Sequence, residues 1–434
     1  MRRWRGIGIL VVVLGLAAGG WFWQARLTTT RGPMVQQAYV WQRQWNEPVR
    51  EAVAEHAAAF DRLLVLAAEI EFDAGRPRSI TAPLNHDTLR DANRPVGLAL
   101  RIGPYAGPFQ ASDPVGTTIV NLAREQVAAM REQGIEPAEV QLDFDAATRH
   151  LAGYRVWVDA VREAVHPVPV TITALPTWMG SRAFGPLVRA TDGYVLQVHA
   201  LDRPAHVDAP AKLADPAQAR QWVREAARHD VPFRVALPTY GYLLAFDDAG
   251  RFTGLTAEGP MPEWPAGTQL RELAADPAAM AELVQGWTAR RPMMMQGVIW
   301  YRLPTARDQR NWRWPTLAAV MAGRTPTARL TVEPVADGTG LVDVVLVNAG
   351  SADATLNGPV SLRWPADVRP IARDALAGFR WRRDDPGVEP GRAELTPPVR
   401  EPAWTLPAGE RIGIAWMRFA QDTEVEAHVQ ADEP

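Results

Sequence analysis

From Ala38 to about Gly323, short apolar runs alternate with helical patterns, which predicts βα units around a parallel sheet. Eight runs read as strands: Ala38–Gln42, Leu63–Glu71, Val96–Ile102, Glu139–Phe144, Val168–Leu175, Tyr194–His199, Phe233–Pro238 and Gly297–Leu303. Between them, Leu151, Tyr154, Val158, Val161 and Val165 recur at spacings of three and four, as one buried helix face requires. Val49, Val53, Ala57 and Phe60 do the same, and Pro216 and Pro315 sit where prolines open helices. Eight such units over about 285 residues predict an α/β chain folded as a (β/α)8 TIM barrel spanning 38–323.

Within the strands, period-two alternation sorts side chains into a helix-facing apolar set and a lumen set. The lumen set is unusually polar: Glu69 and Glu71, Arg101, Asp143 and Asp145, Thr171 and Thr173, Gln197 and His199. Nearly all fall late in their strands, where barrel enzymes place their chemistry. Trp41 and Trp300, in the first and eighth strands, fit either face.

Residues 241–292 are too long for an ordinary connection and carry turn signals at Asp248-Ala249-Gly250, Glu258-Gly259-Pro260 and Trp264-Pro265-Ala266-Gly267, which predicts a hairpin insertion before the seventh helix. Beyond Thr325-Pro326 the helical period stops. Segments such as Ala328–Val335, Val342–Asn348, Val360–Trp364 and Arg411–Phe419 predict a β-sandwich over 327–421, followed by a loose acidic tail over 422–434. At the amino end, Arg2, Arg3 and Arg5 precede an apolar run from Gly6 to Trp23, near the lower limit for a bilayer span. Gly19-Gly20 followed by Trp21-Phe22-Trp23 favours an uncleaved signal anchor within 1–30 over a cleaved signal peptide. The expected location is therefore the periplasmic face of the inner membrane, or secretion into the periplasm if the segment is removed.

Composition narrows the chemistry. At 434 residues, 47% hydrophobic and 22% charged, the chain is globular and long enough for more than one core. A net charge of -3 provides no basic field for nucleic acid, which is not an expected partner. The absence of cysteine excludes disulfides, thiolate nucleophiles, iron–sulfur clusters and cysteine-ligated zinc. Lys212 is the only lysine among 46 cationic residues. No metal is expected, since the eight histidines are scattered without the spacing of a zinc helix. No cofactor is expected either, because neither a phosphate-cradling glycine loop nor a nucleotide fingerprint occurs.

The run Val140-Gln141-Leu142-Asp143-Phe144-Asp145 puts two carboxylates on one face of a strand whose other face is apolar. Paired carboxylates at a barrel mouth suit glycoside hydrolysis, with one protonated acid at the leaving oxygen and a second group that attacks, activates water or steadies positive charge. Mutual repulsion raises one pKa and keeps a proton available. The competing reading has Asp145 capping the following helix and Asp143 paired with an arginine such as Arg101. Glu69 and Glu71 bind Arg101 or a sugar hydroxyl. Sugars offer flat apolar faces edged by hydroxyls, and aromatic residues crowd the strand ends: Trp41, Trp45, Trp178, Trp300, Tyr105, Tyr240 and Tyr301 among seventeen tryptophans and seven tyrosines.

Four segments, Gln141-Leu142-Asp143-Phe144-Asp145, Leu196-Gln197-Val198-His199, Leu237-Pro238-Thr239-Tyr240-Gly241 and Gly297-Val298-Ile299-Trp300, resemble in order the chitinase-like barrels of glycoside hydrolase family 18. More closely, Asp143-Phe144-Asp145 with Thr171-Ile172-Thr173-Ala174-Leu175-Pro176-Thr177-Trp178 and Val195-Leu196-Gln197-Val198-His199 looks like a bacterial family known as domain of unknown function 3142. The family 18 pattern D-x-x-D-x-D-x-E ends in a catalytic glutamate, and that position falls here on Ala147; with the register shifted, Asp145 takes its place and Gln141 replaces the first aspartate of the D-x-D-x-E triplet. His199-Ala200 likewise stands where the sixth strand of that family carries Tyr-Asp. The resemblance implies a carbohydrate-shaped barrel with changed chemistry.

The expected function is that of an exported barrel glycosidase acting on extracellular or cell-envelope polysaccharide, tethered to the inner membrane. Asp145 is the expected general acid and Asp143 its partner; Glu69, Glu71, Arg101, Trp178, Gln197, His199, Tyr240, Trp300 and Tyr301 are the expected sugar contacts. Two alternatives stay open: a barrel that binds glycan without cleaving it, and a metal-dependent polysaccharide deacetylase suggested by His86-Asp87.

Overall fold

The computed structural model describes residues 29–73, 75–199, 203–257, 262–382, 390–398 and 404–429. The segment read as a signal anchor, 1–30, lies outside the described residues but for Thr29 and Thr30. Among the described residues no helix is long and apolar enough to cross a membrane. The chain divides into two compact units between Trp312 and Arg313.

In the first unit, eight parallel strands pair in chain order: β1 (Val35–Val40), β2 (Arg62–Asp73), β3 (Val96–Ile102), β4 (Pro137–Phe144), β5 (Val170–Ala174), β6 (Tyr194–Gln197), β7 (Phe233–Pro238) and β8 (Met295–Tyr301). β8 also pairs with β1 and closes the barrel. The helices between them are α1 (Glu47–His56), α2 (His86–Asp91), α3 (Pro114–Glu132), α4 (Leu151–Val165), α5 (Phe184–Val188), α6 (Pro216–Ala226) and α7 (Pro277–Ala289). The periodicity read from the sequence is the buried face of α4: Leu151, Tyr154, Trp157, Val158, Val161 and Val165 are all buried. Three helices start alike, with an aspartate before a proline. Asp113, Asp215 and Asp276 accept hydrogen bonds from free N–H groups of the first turn, and the proline after each has no N–H to lose.

β2 runs well past the barrel mouth, where it pairs antiparallel with Arg76–Thr81. That strand has no apolar alternation to betray it; its exposed positions carry Arg76, Arg78 and Ser79, and backbone pairing to β2 holds it instead. The insertion after β7 is a three-stranded antiparallel sheet, with Gly241–Phe246 between Phe252–Thr256 and Gln269–Ala274, one strand more than the expected hairpin.

The second unit opens with α8 (Trp314–Met321), which the sequence reading had assigned to the barrel. Two four-stranded antiparallel sheets follow. Val342, Val344, Leu346, Ile414 and Met417 from one, and Val360, Leu362 and Leu395 from the other, share a single buried cluster. The expected loose tail is corrected in part: Glu426–Val429 is a strand paired with Val360–Arg363, because Ala427 and Val429 pack against that cluster while the intervening residues face solvent.

Candidate active site

Inside the barrel the polar faces of the strands form two levels. The lower one centres on Glu139 of β4 and Arg234 of β7, respectively 1% and 6% exposed. Arg234 meets both carboxylate oxygens of Glu139 at 2.6 Å and donates also to Gln37 of β1 at 2.6 Å. Arg62 adds a contact at 2.8 Å, and the Thr171 hydroxyl donates to the same carboxylate at 2.6 Å. Burial opposes charge on Glu139, but Arg234 and Arg62 outweigh it and hold its pKa down at about 2. Gly97 of β3 leaves the space; a Cβ there would lie 2.8 Å from Cγ of Glu139. Above this level Tyr39 of β1 donates to Oε1 of Gln141 at 2.5 Å, so Gln141 serves as a neutral strut.

The upper level is a hollow of about 350 Å³ at the carboxyl ends of the strands. Asp143 sits on its floor. Its Oδ1 accepts from the Thr173 hydroxyl at 2.8 Å and from the Gln197 amide at 3.5 Å. Asp145, two residues on, reaches the same hollow from the rim. Among the described residues neither carboxylate forms an ion pair, although the charge of Arg101 acts on both, and the short helix Thr148–His150 has no side-chain cap. Burial, followed by repulsion from Asp145, pushes the Asp143 pKa up to about 6 against the Thr173 hydrogen bond and the charge of Arg101. The surrounding walls also raise Asp145, while Arg101 pulls it back.

The walls are aromatic. Tyr39, Trp41 and Tyr301 meet edge to face with centroids 5.2 to 5.7 Å apart. His199 lies at 25° to the Tyr301 ring with centroids 5.8 Å apart, and its Nδ1 is 3.4 Å from the Tyr240 hydroxyl. Burial lowers the His199 pKa to about 4, so the ring is neutral near pH 7 and offers one donor and one acceptor. Arg101, Asp143, Asp145, Gln197, His199, Tyr240 and Tyr301 are thus brought together, all on the hollow's lining.

Four expected contacts lie elsewhere. Glu69 is buried and bonded to Arg43, at 2.5 and 3.0 Å, and is not among the residues lining the hollow. Glu71 lies on the exposed extension of β2, opposite Arg78 of the antiparallel strand. Trp178 is 1% exposed and donates its indole N–H to the Ala146 carbonyl, a packing role in the β5 loop. Trp300 turns away from the lumen, its N–H bonded to Gln36 at 2.8 Å and its ring beside Trp312, because the alternation of β8 gives the lumen to Tyr301. Trp41, one of the strand-end aromatics, lines the hollow, and so do Tyr39 and Tyr242, which the sequence reading does not name, although Gln37, Tyr39 and Trp41 alternate along β1 as a lumen face must. His86 opens α2, and among the described residues no three metal-ligating side chains gather.

The molecule's first unit is therefore a closed parallel α/β barrel whose mouth holds an unpaired carboxylate couple among aromatic walls. Residues 93–306 match the family model described as a domain of unknown function, DUF3142. Solved structures similar to the chain include the spore cortex-lytic enzyme SleL of Bacillus cereus, with 11% identity, a TM-score of 0.48, and 68% of this chain and 75% of that chain covered. A chitinase from Chromobacterium violaceum shows 16% identity and a TM-score of 0.45, covering 67% of this chain and 98% of that one. Chitinase ChiA74 from Bacillus thuringiensis shows 10% identity and a TM-score of 0.41, with 91% and 100% covered. No curated protein sequence matches the chain.

Proposed function

We propose that the protein is a glycoside hydrolase-like enzyme acting on an extracellular or cell-envelope polysaccharide, exported through its amino-terminal segment and held at the periplasmic face of the inner membrane. The observation that carries the chemistry is the pair Asp143 and Asp145, both free of ion pairs and open to one hollow. Such a couple titrates as a unit and retains a shared proton in mildly acidic solution. Asp145, at the rim, passes the shared proton to the glycosidic oxygen as the C–O bond breaks, which leaves Asp143, fixed by Thr173 and Gln197, ionised to steady the positive charge on the sugar ring; water then adds to that carbon and returns a proton to the couple. Arg101, Gln197, neutral His199 and Tyr240 supply hydrogen bonds to hydroxyls, and Tyr301 with Trp41 offers an aromatic edge in the place first expected for Trp300.

Asp145→Asn tests the reading. Release of reducing ends from a panel of exopolysaccharides and peptidoglycan fragments is expected to fall by about 10²- to 10⁴-fold while glycan binding persists. Binding without turnover in the wild type, unchanged by the substitution, identifies a lectin-like barrel instead. Release of acetate without reducing ends, abolished by a chelator, points to metal-dependent deacetylation.

A further inference from the structure

A second and larger hollow, of about 510 Å³, adjoins the acid site. Leu175 and Gln197 line both. The remaining walls come from the loop after β5, from residues 210–215, and from Gln218 and Trp222 of α6. A backbone bridge between His199 and Ala214 fastens the 210–215 wall to the end of β6.

The chemistry of this wall differs from that of the mouth. Leu175, Pro176, Val198, Pro210, Leu213 and Trp222 give it an apolar surface, and the two prolines bring no N–H. Its charged groups are already engaged: Asp215 accepts from the backbone of Ala217 and Gln218 at the start of α6, and Lys212 is 3.2 Å from the same carboxylate. The Gln197 amide is turned to Asp143. Thr177 and Gln218 add a hydroxyl and an amide, but the greater part of the wall is apolar and favours an aliphatic chain over a ring edged by hydroxyls. The volume is within the range of small-ligand pockets.

We propose that this compartment binds an alkyl or acyl substituent carried by the glycan, with Gln197 as the partition between it and the acid site. The proposal rests on the glycan reading above. It makes substrate choice depend on a decoration of the sugar as well as on the sugar itself. An occupant pressing on Gln197 also touches the group that holds Asp143.

Calorimetric titration of the full-length protein with methyl β-glucoside and hexyl β-glucoside tests it, with 1-hexanol as a probe that has no sugar. Each methylene that enters strengthens binding by roughly fourfold, so the hexyl compound is expected to bind at least tenfold tighter. Ala211→Trp, which fills the compartment, is expected to bring the ratio close to one without changing the methyl compound; Ala211→Ser, with the wall kept small, retains the preference and controls for folding. Equal affinity of the two glucosides in the wild type, or a preference that survives Ala211→Trp, overturns the proposal. If neither glucoside binds but 1-hexanol does, and Ala211→Trp abolishes that binding, the apolar compartment stands and the glycan reading fails. If 1-hexanol binds neither form, the compartment fails.

Discussion

The two polar levels of the barrel hold carboxylates of the same kind in opposite states. At the lower level Glu139 is surrounded by Arg234, Arg62 and Thr171, and its pKa falls to about 2. At the upper level Asp143 has only neutral hydrogen-bond partners and an acidic neighbour, and its pKa rises to about 6. Both lie on β4, four residues apart on one face. The difference teaches that depth alone does not set the charge of a buried acid; the identity of what faces it does. A matched ion pair is a girder, and an unmatched couple is a reagent.

Arg234→Met should break the contrast most severely, because it leaves the buried Glu139 charge to Arg62 alone; denaturant unfolding is expected to show a loss of about 3–5 kcal/mol. Adding Glu139→Gln should recover at least half of that loss, and a double variant as unstable as the single one would refute the girder reading. The pair also predicts acid sensitivity. Glu139, lowered in the folded state, contributes stability above the unfolded value of about 4.3 that is lost as pH falls toward 2.

Asp143 should show the opposite sign. Its raised pKa means that the folded state holds the proton more tightly, so its contribution is favourable below about pH 4 and lost as pH rises through about 6. Asp143→Asn is therefore expected to stabilise the protein at pH 8 by on the order of 2 kcal/mol, and not at pH 4, while turnover is lost. Unfolding midpoints of both forms at the two pH values measure this; equal differences at both would show that the carboxylate is not strained. Hydrolysis by the wild type should correspondingly decline as pH rises past about 6.

The smallest effect belongs to the indole that stands outside the hollow. Trp178→Phe should cost about 1 kcal/mol through the lost hydrogen bond to Ala146 and leave KM unaltered, whereas Tyr301→Ala should raise KM. A KM change in Trp178→Phe would return that side chain to the binding surface.

Much of this contrast was legible in the alternation of β4, since Glu139, Gln141 and Asp143 share its lumen face and the strand's other residues are apolar. Arg234 was legible as well, as one charge inside an otherwise apolar β7, but its partner lies 95 residues away and no local spacing joins them. Glu69 misled because a carboxylate at a strand end looks the same whether it faces ligand or Arg43, which comes from the preceding loop. The faces of Trp300 and Tyr301 could not be separated by pattern, since both are large aromatics in a strand whose neighbours tolerate either. The strand Arg76–Thr81 carries no hydrophobic period, because backbone hydrogen bonds to β2 rather than burial define it.

Lys212 bears the chain's single side-chain amine and is 70% exposed on the wall of the second hollow. Amine-directed dyes or crosslinkers can therefore mark one address in the folded body without any engineered handle. In alkaline solution, where the lysine amine joins the α-amino group in reactivity, that chemistry places a reporter beside Trp222, where fluorescence would register arrivals and departures in real time.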